Sequence, residues 1–511
     1  MPPPKRRFFQ LLDIKGTADI VDVLAKQFSI ERSGSWIATE QFFDSFDWRL
    51  FKNKLSMILS NNCLRVVDVD GQLLLETEVG EAQKFFCWDF PTTSSRELLQ
   101  EVLGYRAVFP LVGVNKTVCD YRLTNKDKKI VVKISVIVYR AMAGEEEIAA
   151  FLDMRGVRGY DGQFKRAAKI VRHNGARETP QGPAVLEAVL QNGQRFPLDY
   201  SSKYLVALEA EWTVGQVASV ICLALLDTME RNLEFILTDV DTEFLHDFRV
   251  AMRRTRSFLS LMKKLLPVQV ANFVNDFKWL GPLTGSVRDL DVYLLKKDYY
   301  TSLLPKTLRA GLPYFFDDLA RQRQQVFKEM VDGLRSDRFK TLMLDWRRYL
   351  AELPTGQENG YLDRPCRPEA VRLIHKQFVR IKRDGRKIDD SSADKLLHDL
   401  RLQAKKFRYL LEFYAPYFQR ADVKLFVQQL KKLQDNLGDF NDLSVQQWML
   451  EDYHAGLAGR SKRDLKIASA IGGLISNLTR EQQLVRQDFK RIFKRFSKKD
   501  NIRLFHQTFR P

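Results

Sequence analysis

Four residues at fixed offsets occur twice in the second half of the sequence: His246, Arg249, Arg253 and Arg256, then His398, Arg401, Lys405 and Arg408. The offsets are 0, 3, 7 and 10 in both sets. On a helix turning about 100° per residue, such positions fall inside an arc of roughly 80°, so each set forms one stripe. A solvated helix face usually mixes signs at i,i+4, whereas three cations in a row repel one another. Something must offset that repulsion. The candidates are nearby carboxylates, Asp289 and Asp442, or a polyanionic ligand.

A single cationic face is ordinarily only a solvated surface. Two faces with matched spacing, each headed by His and each followed at a matching distance by Lys278 or Lys431, favour a shared anion-binding role. The histidines alone would read as capping or core residues. They lack the H-x-x-x-H or Cys partners of a zinc site, so a phosphate contact by a ring N–H fits them better, and no metal site is read. The Asp of Arg288-Asp289 and of Asn441-Asp442 orients basic side chains or caps a helix, and no catalytic residue is assigned. Arg372, Lys376, Arg380 and Arg383 form another cationic face that could extend a groove, with Arg254, Arg288 and Lys406 as further candidates.

The elements carrying these residues are themselves repeated. Leu245-His-Asp-Phe-Arg-Val-Ala-Met-Arg-Arg-Thr-Arg-Ser-Phe-Leu259 aligns without a gap on Leu397-His-Asp-Leu-Arg-Leu-Gln-Ala-Lys-Lys-Phe-Arg-Tyr-Leu-Leu411, with six of fifteen positions identical. Lys278 to Leu290 aligns on Lys431 to Leu443, with the offset changing only from 152 to 153. Two copies of one helical unit about a pseudo-twofold axis are expected, at about 205–350 and 366–495 of a 201–500 domain. Turn signals at Pro267, Gly281-Pro282, Pro305, Gly311 and Pro354-Thr-Gly356 are expected to break its helices. Residues 8–195 read instead as an α+β domain, with strand patterns such as Lys129 to Tyr139 and Gln72 to Val79.

Bulk properties bound the reading. A chain of 511 residues has length for two or three domains. The formal charge of +18 is uneven: residues 1–200 carry 28 basic and 25 acidic side chains, residues 201–511 carry 54 and 39. Such an excess attracts phosphate polyanions or anionic membranes. Five scattered cysteines without a C-x-x-C pair exclude a disulfide framework and fit a reducing compartment. The segment Met1 to Arg7 lacks a following apolar run, and Val214 to Leu226 is too short to span a bilayer, so a cytoplasmic location is expected.

The duplicated L-H-D-x-R segments, the basic helices and the G-x-x-x-D-L segments resemble the CHAD domain, the conserved-histidine α-helical domain, over roughly 200–500. Asn232 and Asp241-Thr-Glu-Phe-Leu-His246 add to the match. The resemblance implies paired, pseudo-symmetric four-helix bundles whose basic cleft binds inorganic polyphosphate. It carries that role onto His246, Arg249, Arg253, Arg256, Lys278, His398, Arg401, Lys405, Arg408 and Lys431, and implies association with polyphosphate granules.

The first domain resembles the CYTH superfamily of triphosphate-tunnel enzymes in Phe42 to Leu50, Cys63-Leu-Arg-Val66, Arg106 to Pro110 and Arg158-Gly-Tyr160, which implies a β tunnel or barrel. It departs from the family pattern where that pattern matters most. Leu11 of Leu11-Leu-Asp-Ile-Lys15 stands where the family's E-x-E-x-K strand has a metal-holding carboxylate, and Val67 replaces the second Arg of L-R-x-R. A triphosphatase needs carboxylates for its metal and cations for the transition state, so the domain is read as degenerate. Lys15, Arg65, Arg122 and Lys133 could retain anion affinity or be ordinary barrel charges. Two alternatives stand beside polyphosphate binding. One is a triphosphatase using Mg²⁺ or Mn²⁺. The other is a nucleic-acid binder, which the lack of interleaved stacking aromatics disfavours; no other cofactor is expected.

Overall fold

The structure, a computed structural model, describes residues 5–12, 17–80, 83–142, 144, 146–191, 195–202, 204, 206–267, 269–353, 360–459 and 461–510. Lys15, Asp13 and the turn signal at Pro354-Thr-Gly356 lie outside the described residues. The chain divides into two compact units, Met1–Ser202 and Lys203–Pro511. An α+β unit followed by an all-helical one is what the sequence patterns required.

Unit 1 is built on one antiparallel sheet of nine strands: β1 (Arg6–Leu11), β2 (Ser29–Ser45), β3 (Ser56–Ser60), β4 (Cys63–Val67), β5 (Leu73–Glu78), β6 (Val108–Thr124), β7 (Ile130–Ala141), β8 (Glu147–Gly156) and β9 (Ala176–Glu178), in the order β5-β4-β3-β2-β6-β7-β8-β1-β9. Helices α1 (Thr17–Ala25) and α4 (Asp161–His173) cover one face through Leu24, Phe164, Ala168 and Val171; short helices α2 (Arg49–Lys52) and α3 (Ser94–Leu103) pack near the β3 to β5 end. On the other face α5 (Gln181–Leu190) seats Val185, Leu186, Val189 and Leu190 on Phe8, Phe42, Val118, Ile137 and Phe151. Cover on both faces explains why β7 reads as a nearly unbroken apolar run: Val132, Ile134, Val136 and Val138 serve one core, Ile137 and Tyr139 the other.

Unit 2 contains α6 (Val214–Leu237), α7 (Thr242–Met262), α8 (Val270–Leu295), α9 (Lys297–Leu303), α10 (Leu312–Arg335) and α11 (Asp337–Glu352) in its first repeat. The second holds α12 (Cys366–Gly385), α13 (Asp394–Tyr414), α14 (Arg420–Ala455), α15 (Lys462–Phe496) and α16 (Lys499–Thr508). The pairing α6–α7–α8–α10 recurs as α12–α13–α14–α15, with α11 against α6 and α16 against α14. These are two bundles of one plan. They join through Phe258 of α7, edge-on to Phe413 of α13 at 5.4 Å, and through a common core that includes Leu290, Phe315, Leu319, Leu450, Ile471 and Leu474.

Two local features hold α7 and α8 in place. Asp241 caps α7, accepting from the backbone N–H groups of Glu243 and Phe244 at 2.8 and 3.2 Å. The expected break at Gly281-Pro282 does not occur, because α8 runs unbroken through Pro282. Proline forfeits one helical hydrogen bond there. The buried residues Phe277, Leu280, Val287 and Leu290 anchor the helix on both sides of it, and the carbonyl of Gly281 is bound by Arg249 at 3.0 Å.

Candidate functional site

The two stripes face each other across one cleft. Its walls are α7 with His246, Arg249 and Arg253, and α13 with Arg401 and Lys405. Its floor is α8 with Arg288, Asp289, Val292, Tyr293 and the following Lys296, and α14 with Asn441, Asp442, Val445 and Gln446. The cavity holds about 480 Å³. Six Lys and Arg side chains meet two carboxylates among its lining residues.

Packing fixes the guanidinium groups in the walls. Arg249 donates through Nη1 to the Gly281 carbonyl at 3.0 Å and to Thr284 Oγ1 at 2.8 Å. The absence of side chains at Gly281 and Gly285 makes this approach possible: a Cβ at Gly285 would stand 3.3 Å from Arg249 Nη1, and one at Gly281 3.2 Å from Arg256 Nη1. Arg288 donates to the Thr242 carbonyl at 3.1 Å, which ties α8 to the start of α7. On the other side Arg401 Nη2 pairs with Asp442 Oδ1 at 3.3 Å, and His398 Nδ1 lies 2.6 Å from Asn441 Oδ1.

Crowding of like charge in partial burial shows in the titrating groups. Burial pushes the Lys405 ammonium down to about 8, Arg401 and Arg253 add to that push, and Asp442 opposes it. Burial lowers Arg249 as well, with Asp289 pulling it back up, and it lowers Arg401 against the pull of Asp442. Asp289 is raised by burial, although Arg249 and Arg288 favour its ionised form. The two acidic groups therefore leave much of the cationic charge unanswered. Guanidinium forks and an ammonium placed in this way can donate charge-assisted hydrogen bonds to an anionic group.

The profile of the CHAD domain family matches residues 221–451, a span that contains every residue lining the cleft. The chain carries a CHAD domain. Similar solved structures include the CHAD domain from the plant Ricinus communis, 22% identical, covering 57% of this chain and 94% of that one with a TM-score of 0.48. PptA from Streptomyces chartreusis is 16% identical over 55% of this chain and 99% of that one, TM-score 0.44. HpAC1 from Hippeastrum, named for adenylyl cyclase and described as having a dominant triphosphatase activity, is 11% identical over 39% of this chain and all of its own length (100%), TM-score 0.26. No curated protein matches.

The CHAD cleft gathers only part of the predicted set. Arg256 leans on α8, Arg408 Nε pairs with Glu412 at 2.7 Å, and Arg254 Nη2 binds the same carboxylate at 2.8 Å. Lys278 and Lys431 are exposed on α8 and α14 and do not line it. Arg380 and Lys406 line a separate hollow between α12 and α13, and Arg372 and Lys376 are exposed on α12. In unit 1, register puts Arg65, Arg122 and Lys133 on the sheet face that α5 covers, with Arg122 and Lys133 side by side. Spacing alone did not single out Lys296, Tyr293, Asn441 or Gln446. The clue for Asn441 was its alignment with Arg288.

Proposed function

We propose that the CHAD cleft binds inorganic polyphosphate. The observation that carries this reading is that cations from two repeats face one another across a cavity with only two carboxylates. Tyr293, the Phe, Tyr or Trp residue in its lining, is buried and donates its hydroxyl to the Val445 carbonyl at 3.3 Å, so the described lining presents no exposed Phe, Tyr or Trp face to a base. That favours a bare phosphate chain over single-stranded nucleic acid. Binding of this kind would also gather the protein onto polyphosphate granules, which co-sedimentation with granules tests.

Metal-dependent triphosphate hydrolysis in unit 1 has less support, because three of the carboxylates on the α5-covered face are already engaged. Glu40 pairs with Lys116 at 2.9 Å, Asp120 accepts from Ser135 at 2.5 Å, and Asp153 is held by Arg6 and Arg155, each at 2.8 Å. Among the described residues no group of three His, Cys, Asp or Glu side chains could hold a metal. The described residues of that face thus offer no ready-made site for Mg²⁺ or Mn²⁺.

The experiment is a competition titration of polyphosphate against single-stranded nucleic acid at one salt concentration, on the wild type and on a variant with both stripes neutralised. Salt is held fixed because both interactions weaken by counterion release. Preferential polyphosphate binding, lost in the variant, is expected. Equal affinity for both polymers would overturn the reading.

A further inference from the structure

The two CHAD repeats share the cleft but not the charge. Residues 201–365 carry 23 basic and 22 acidic side chains, whereas 366–511 carry 31 and 17. Nearly all of that excess comes from two stretches outside the cleft: 367–387 and 486–503 each hold eight basic and two acidic residues. They pack together. The Phe493 ring of α15 lies against Gly385 of α12, and Phe378 of α12 stacks on Phe505 of α16 at 3.8 Å. The result is one surface formed by α12, the end of α15 and α16.

Lys376, Lys387, Lys490, Lys494, Lys498 and Arg503 are exposed on it, and none of them has an ion pair with a described carboxylate. Several arginines of these stretches are paired, Arg372 with Glu369, Arg380 and Arg383 with Asp384 and Arg491 with Asp488, but the six cations above are left over, and such an uncompensated surplus points to an external anion. The surface also connects to the cleft. Lys406 follows Lys405 in α13, donates to Ser260 of α7 at 3.3 Å, and lines with Arg380 and Lys387 a hollow of about 460 Å³ between α12 and α13. Cations thus lead from the cleft wall over α13 and onto α12.

The chemistry of the surface narrows its occupant. Val379 is the large apolar side chain that α12, the 486–503 stretch and α16 expose, and no Phe, Tyr or Trp ring is exposed there among the described residues; His506 is the exposed ring of α16. A base would find no Phe, Tyr or Trp face to stack on, and a bilayer only one large apolar side chain to take up. We propose that this surface is a second binding site for long-chain polyphosphate, carrying the part of the chain that leaves the cleft. The proposal rests on the cleft reading and adds chain-length selectivity to it. Short chains fill the cleft alone, and long chains engage both sites.

The test titrates the full-length protein with tripolyphosphate and with long-chain polyphosphate at several salt concentrations. A surface variant, Lys376→Gln/Lys387→Gln/Lys490→Gln/Lys494→Gln, is compared with a cleft variant, Arg249→Ala/Arg401→Ala, and with the wild type. The surface variant is expected to bind tripolyphosphate like the wild type and to lose about tenfold in long-chain affinity, with a salt slope shallower by about two to three. Unchanged long-chain affinity and slope would overturn the proposal. So would loss of duplex DNA or anionic-vesicle binding with long-chain polyphosphate binding intact, which would assign the surface to another polyanion. Survival of tripolyphosphate binding in the cleft variant would instead overturn the cleft reading, and the long-chain comparison would still decide the surface.

Discussion

Lys405 is where the cleft's chemistry becomes measurable in a single side chain. Held at about 8 by burial and by Arg401 and Arg253, it is half-neutral near that pH in the free protein. A bound polyanion favours the charged form and raises its pKa, so binding above pH 8 takes up a proton. Affinity should therefore be full below about pH 8 and fall as pH rises through it, by up to about tenfold per unit. Calorimetry in buffers of different ionisation enthalpy reads the proton uptake, and Lys405→Arg should flatten the profile; an unchanged profile in that variant would contradict the assignment. The same depressed pKa means that the folded, unligated protein binds fewer protons than the unfolded chain between about pH 8 and 10.4, so Lys405 costs stability below that window and the cost is relieved as pH rises. At this scale the sequence was a partial guide. Spacing identified His246, Arg249, Arg253, Arg401 and Lys405, because an arc on one helix is a local property. Lys278 matched by alignment but stands ten residues, about 15 Å of helix rise, from Arg288. Tyr293 and Gln446 enter the cavity only because α8 and α14 meet there, which no spacing rule encodes.

Among the elements, glycine positions record how closely the helices approach. A Cβ at Gly385 would come within 2.2 Å of the Phe493 ring, whereas one at Gly472 meets nothing within 4 Å. Gly385→Ala should therefore destabilise by about 1–3 kcal/mol through overpacking. Gly472→Ala, in the middle of α15, should stabilise by up to about 1 kcal/mol through helix propensity. Thermal denaturation of both variants checks the pair, and equal melting temperatures would contradict the packing of α12 on α15. Strand and helix types were legible: the Lys129 to Tyr139 run became β7, and both stripes lie on long helices. The continuity of α8 was not, since Gly281-Pro282 is a strong local stop that packing on both sides overrides. The nine-strand order was also beyond local reading, because β1 pairs with β8 and β9 across long stretches of chain.

For the whole molecule, the excess of basic side chains lies in the second unit, while Glu40, Asp120 and Asp153 on the sheet of the first are held by neighbouring side chains. The full chain should accordingly release no orthophosphate from tripolyphosphate with Mg²⁺ or Mn²⁺; turnover sensitive to Lys15→Ala would restore the enzyme reading. Among the described residues no helix is long and apolar enough to cross a membrane. Net charge suggested a polyanion and the duplicated stripes suggested a place for it, but only the structure showed that the charge excess of the second repeat lies largely outside the cleft. The central claim is tested most directly by the equilibrium affinity of the full-length protein for polyphosphate, wild type against Arg249→Ala/Arg401→Ala, at one salt concentration. Each arginine removed should weaken binding about tenfold and the pair about a hundredfold, as befits charge-assisted hydrogen bonds lost from both walls. Undiminished affinity in the double variant would contradict the account.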